Sequence, residues 1–207
     1  MKSDLAKSFW DALQRVRDAR RTDGPGPASP RESPLVVSEL VDASMSETLR
    51  RLDAIRDECR ALVTRRAAWS AGAAVVPLPA FDIGTDVAIL VKLLPKINGK
   101  FGLTPAQIDE LDTETRSVVM MFISGLGASL VGRLVTRELV IKVLMKLGVR
   151  VTTKGIVKFV PLLGQALSAS ISFGAMKMLG NQHIDDCYEV ARRTMLQRAV
   201  ERTDSSR

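Results

Sequence analysis

The sequence predicts an all-α protein: a compact helical bundle with a central apolar hairpin rich in small residues, plus a tethered amphipathic helix at the N-terminus. Three observations carry this prediction. Apolar residues recur at helical spacing along the charged segments near both ends. The uncharged runs 67–81, 117–132 and 159–176 alternate poorly and are full of Gly, Ala and Ser, so a helical period explains them better than a strand. Helix stop and start signals stand side by side in "NGKFGLTPAQIDELD", residues 98–112.

Residues 1–21 form the first expected element. Leu5, Phe9, Leu13 and Val16 make one face, surrounded by Lys2, Lys7, Arg15, Arg17, Arg20 and Arg21. Such a segment either docks on its own domain or is disordered, or it contacts a membrane or partner, for which Phe9 and Trp10 beside basic residues are suited. The stretch "TDGPGPASPRESP" then breaks any helix, so residues 22–43 are expected to be a flexible linker. The expected organisation is completed by a helical membrane-associated domain over 44–202 and a polar tail, 203–207.

The domain opens with an amphipathic helix over 44–66. Leu49, Leu52, Ile55, Cys59, Leu62 and Val63 face one way; Arg50, Arg51, Arg56, Arg60, Arg65 and Arg66 read as a solvated face. Next, "VVPLPAFDIGTDVAIL" (75–90) places Asp82 and Asp86 in a very apolar passage. Pro77 and Pro79 stop a helix, Asp82 is placed to cap the next one, and Asp86 lies one turn on, where the helix dipole favours a carboxylate. An acid/base pair would need partners of matched pKa that the sequence does not supply. In "LTPAQIDELD", Thr104 is an expected N-cap, Pro105 suits the first helical position, and Gln107 completes a capping box. The acids Asp109, Glu110, Asp112 and Glu114 then sit near a helix start.

Rows of small residues follow at four-residue spacing: Gly125 with Ser129, Ala128 with Gly132, Gly164 with Ser168 and Ser172, and Ala166 with Ser170 and Gly174. Rows of this kind let helix backbones approach closely, inside membranes or in tight soluble bundles, and can mediate assembly into an oligomer. Between the two apolar runs, residues 133–158 hold Arg133, Arg137, Lys142, Lys146, Arg150, Lys154 and Lys158 against one acid, Glu138. Lys142, Lys146 and Arg150 recur every four residues opposite Val140, Val143, Leu144 and Leu147, a pattern suited to an anionic membrane surface. A charged helix over about 181–202 ends the domain.

The balance of charge agrees with an acidic partner. The chain has a formal charge of +7 and a pI near 9.8, and charge of that sign points to anionic lipid, an acidic protein or nucleic acid. No nucleic-acid-binding signature accompanies it, so nucleic acid is not expected. Cys59 and Cys187 stand far apart without a CxxC companion, which fits a reducing compartment. Charges scattered through residues 1–21 are unlike a signal peptide. "HIDDC" (183–187) offers His183 and Cys187 one turn apart, but the chain has a single histidine and only one other cysteine, too few for a zinc site. "GLGASLVG" (125–132) has neither the spacing nor the strand of a dinucleotide loop, and no familiar catalytic motif is present. No enzyme, cofactor or metal is expected.

The passages "VVPLPAFDIGTDVAILVKLLPKINGKFGL" and "KFVPLLGQALSASISFGAMKMLG" resemble the helical module that lies beside the GTPase domain in immunity-related GTPases, and the bacterial YcjF-like membrane proteins. The shared pattern is Pro-x-Pro-x-x-Asp leading into an apolar helix, then Lys-Phe-x-Pro-x-x-Gly leading into a small-residue helix. It covers roughly residues 67–195. Asp82, Asp86, Lys158, Phe159, Pro161 and Gly164 fall on the motif positions. The resemblance implies an all-α module on membranes, working with a GTPase. These 207 residues hold no GTPase half, so hydrolysis is not carried over, and the implied role of the matched residues is helix initiation and packing.

The function expected is therefore non-enzymatic: attachment to the cytoplasmic face of a bacterial inner membrane through anionic lipid, a protein partner or a separate GTPase. Peripheral attachment is the first reading. The alternative is an integral hairpin, 117–132 with 159–176, that inserts into or permeabilises membranes.

Overall fold

The computed structural model describes Trp10 and residues 34–74, 83–128, 130–146 and 161–204; residues 34–42, 70–74, 83–86, 161–172 and 202–204 are described by their backbone. All-α is the observed class. Six helices, and no strand, occur among the described residues: α1 (Pro34–Ala74), α2 (Ile83–Phe101), α3 (Pro105–Asp109), α4 (Thr113–Gly125), α5 (Arg137–Lys146) and α6 (Pro161–Asp204).

Two long helices frame the rest. With 41 and 44 residues, α1 and α6 are each about 60–65 Å long at 1.5 Å per residue. They run antiparallel, since contacts ascend one as they descend the other. Tyr188 Oη donates to Asp53 Oδ1 at 2.9 Å, Arg60 meets Asp185 at 2.8 Å, and Val63 packs on Gly180. The α1 stripe Leu52, Ile55, Cys59, Val63 and Ala67 is buried, as its spacing requires. A Cβ on Gly180 would lie 2.7 Å from Val63 Cγ1, so only glycine admits this approach.

Both helices exceed the sequence expectation. α1 begins at Pro34, inside the span read as linker, because proline ends a preceding helix yet suits the first position of its own. It also absorbs the start of the apolar run 67–81. The segments 159–176 and 181–202 join in one helix, α6, which starts at Pro161.

Against this pair lies α2, burying Val87, Leu90, Leu93, Leu94, Ile97 and Phe101. Its end follows from one glycine. Gly102 has φ +70°, which closes a Schellman cap with Gly102 N donating to Gly99 O at 3.3 Å and Leu103 N to Asn98 O at 2.8 Å. Thr104 then caps α3: its hydroxyl accepts from Gln107 N at 3.3 Å, while Gln107 Oε1 accepts from Thr104 N at 3.2 Å. The capping box is formed as expected. Asp112 caps α4 by accepting from Thr115 N at 3.1 Å.

The run 117–132 is not one helix. α4 stops at Gly125, and a second Schellman cap at Gly127 (φ +63°) has Ala128 N donating to Ile123 O at 3.1 Å. The described contacts of this region include the charged half of α6 and α2. Arg198 meets Glu114 at 2.9 Å, and Asn98 links Leu130 O to Cys187. Of the row residues, Gly125 and Gly174 have open space where a Cβ would stand, while a Cβ on Gly132 would lie 2.9 Å from Ile108 Cδ1. Gly180, outside the rows, makes the close approach between α1 and α6. Among the described residues no helix is long and apolar enough to cross a membrane.

Candidate functional site: an unpaired basic surface

Thr136 begins the segment of greatest interest. Its hydroxyl accepts from Leu139 N at 3.3 Å and so starts α5, which buries Val140 and Leu144 against the body of the protein and packs on α2. With those two positions inward, the helical period turns Lys142 and Lys146 outward. Arg133, Arg137, Lys142 and Lys146 are all exposed, and none has an ion pair among the described residues. Two apolar side chains stand among them in the open: Leu134, 78% exposed, and Met145, 56% exposed.

Glu138, the one acid in this stretch, forms no ion pair among the described residues. Hydrogen bonds to its own backbone and to Thr136, with Arg137 nearby, hold its pKa below the usual range, so it stays ionised and offsets one of the four cations. The neighbouring α2 adds Lys92 and Lys96, exposed and equally without ion pairs among the described residues. Sequence reasoning missed these two. The signal available was their i, i+4 spacing in "VKLLPK", opposite the buried Leu90, Leu93, Leu94 and Ile97.

Elsewhere the cations are largely matched. Arg50 and Arg51 pair with Glu47, Arg56 with Asp53, Arg60 with Asp185, and Lys100 with Glu58. Arg192 and Arg193 meet Glu189, and Arg198 gathers Asp112, Glu114 and Glu201. Arg65 and Arg66, late in α1, are exposed and unpaired among the described residues.

The remaining expected residues fall in several places. Arg150, Lys154, Lys158, Phe9 and Asp82 lie outside the described residues. Asp86 falls in the first turn of α2, Pro161 is the first residue of α6, and Gly164 lies in its opening turn. Trp10 is on the bundle rather than on an open face. It is 6% exposed, and its Nε1 donates to Phe101 O at 3.0 Å. The indole is packed on the bundle with its one donor satisfied.

The "HIDDC" residues divide between core and surface. His183 and Cys187 are buried, with Cys187 Sγ 3.8 Å from His183 Nε2 and donating to Asn98 Oδ1 at 3.4 Å. Asn98 Nδ2 donates to Leu130 O at 3.2 Å, so one polar seam ties α6, α2 and the turn after α4. Burial pushes the His183 pKa down to about 4, against the backbone carbonyl of Leu94, which accepts from the ring and raises it. It drives the Cys59 thiol up to about 12 and that of Cys187 well above its usual range. A protonated thiol beside a neutral imidazole is a packing unit and not an activated nucleophile. Among the described residues no group of three His, Cys, Asp or Glu side chains is placed to hold a metal ion.

Comparison with family models, curated proteins and solved structures gives no match, so the resemblance to the GTPase-associated helical modules stands on the two quoted passages.

Proposed function

We propose that this protein is a non-enzymatic, membrane-associated helical protein whose α2–α5 surface binds anionic lipid headgroups. The observation that supports the reading most is the group Arg133, Arg137, Lys142 and Lys146: exposed, unpaired among the described residues, and interspersed with exposed Leu134 and Met145. Cations near an anionic leaflet contribute about 1 kcal/mol each. Four of them, with two apolar side chains to enter the headgroup boundary, are enough for reversible attachment and too few for insertion. The attachment is peripheral, on the cytoplasmic face of a bacterial inner membrane. Following the YcjF-like resemblance, a GTPase supplied by another chain is the protein partner in this reading.

Fractionation of producing cells tests it. Membranes washed first with high salt and then with alkaline carbonate should release the protein in the salt wash. Retention through carbonate would instead favour an inserted hairpin, and recovery in the unwashed soluble fraction would favour an acidic protein as the ligand.

A further inference from the structure

We propose that the C-terminal cap of α2 is an indole socket that competes with the lipid surface for Trp10. The inference rests on the membrane reading above and adds a means of regulating it. The Schellman bonds at Gly102 use the carbonyls of Asn98 and Gly99. The carbonyl of Phe101, two residues further on, accepts from the indole N–H of Trp10, a residue 91 positions earlier, at 3.0 Å. Position 102 supplies the space. Its left-handed φ already favours glycine, and a Cβ there would collide with Trp10 Nε1 and Cδ1. The ring therefore occupies the volume in which any other residue's side chain would begin.

The burial is particular to this tryptophan, since the other, Trp69, is 75% exposed. An amphipathic indole is also the kind of side chain that membrane interfaces accept at headgroup level. Trp10 is flanked in sequence by Phe9 and Lys7, and a tether of Gly and Pro residues separates it from α1. One ring cannot occupy the socket and a bilayer together. The affinity of this second contact for lipid is accordingly reduced by the fraction of molecules in which the socket is filled, and occupying the socket otherwise removes that reduction.

The experiment uses the full chain with Trp69→Phe, which leaves Trp10 as its sole tryptophan. In the free protein, Trp10 fluorescence should be shielded from acrylamide. Vesicles of phosphatidylcholine and phosphatidylglycerol with brominated acyl chains should quench it, because the ring exchanges protein for lipid. Gly102→Ala should raise affinity for the same vesicles roughly three- to tenfold; an unchanged or lower affinity in the folded variant contradicts the proposal. Vesicle binding without bromine quenching overturns the competition and leaves the lipid reading standing. No vesicle binding at all removes both. The quenching measurement leaves position 102 untouched, so it decides the matter even if Gly102→Ala does not fold.

Discussion

The α1–α6 pair and the α2–α5 surface use similar residues to different ends. On the long pair, most arginines find carboxylates on the same helix or its neighbour, as with Arg60 and Asp185 at 2.8 Å, Arg65 and Arg66 being the exceptions among the described residues. On α5 and the adjoining face of α2, lysines and arginines have no such partners among the described residues. A matched pair has little attraction left for a ligand. An unmatched cation keeps its full field, and a cluster of them attracts an acidic surface. Arginine-rich α1 and lysine-bearing α5 look alike as strings of basic residues, and carboxylate partners, most of them one turn away on the same helix, separate a solvated scaffold from a binding face.

If the long pair is the scaffold, its packing should be the most sensitive to change. Gly180→Ala sets a Cβ 2.7 Å from Val63 Cγ1 and should cost about 1–3 kcal/mol in chemical denaturation. Adding Val63→Ala should recover part of that loss, as a clash between two side chains requires. Independent, additive losses would mean that the helices do not meet at this point.

Acidification probes the same scaffold through His183. Its folded pKa of about 4 lies below the usual 6.5, so the unfolded chain takes up the proton first and stability is lost as the pH falls below 6.5. Asp186 works in the opposite sense. Burial, and secondarily Asp185, raise it from 3.8 to about 6, so below pH 6 the folded state gains the proton first. Asp186 is only half-buried, so solvent screening weakens its share. The net expectation is a loss of about 0.5–1.5 kcal/mol between pH 6.5 and 5, measured by urea denaturation. Asp186→Asn should steepen that loss, and a profile that stays flat in the variant would place the titrating group elsewhere.

The smallest effect is expected from the matched charges. Arg60 and Asp185 are both about half exposed, and Arg60→Ala should change stability by no more than about 1 kcal/mol. A larger loss would show that the ion pairs of the long helices fasten the fold as well as neutralise its surface.

Legibility in the sequence followed the range of the interaction. The capping box at Thr104 and Gln107 and the stop at Gly102 depend on residues within one turn, and both could be read directly. The all-α class was equally accessible, because helical spacing is a local property. Helix lengths were less so. Pro34 permits as well as prevents a helix, and the two segments of α6 run on as one helix whose described contacts with α1 include Gly180, Asp185 and Tyr188. Contacts distant in sequence were out of reach. Nothing near Gly180 announces Val63, and nothing in "DALQRVRD" announces that the preceding Trp10 fits over Gly102. The basic stretch after Arg133 was legible as charge, but its lack of partners, and the contribution of Lys92 and Lys96, required the packing of α5 on α2.

The contrast between matched and unmatched cations is tested most directly by charge reversal in the two regions, followed by sedimentation with vesicles containing phosphatidylglycerol. Lys142→Glu with Lys146→Glu should lower binding roughly tenfold or more, since about 1 kcal/mol is lost for each cation and repulsion is added. Arg50→Glu with Arg51→Glu, made on the matched face beside Glu47, should leave binding within about twofold, because those cations carry little unshared charge. Equal losses from the two reversals would show that net charge alone drives binding and would contradict the assignment of the α2–α5 surface.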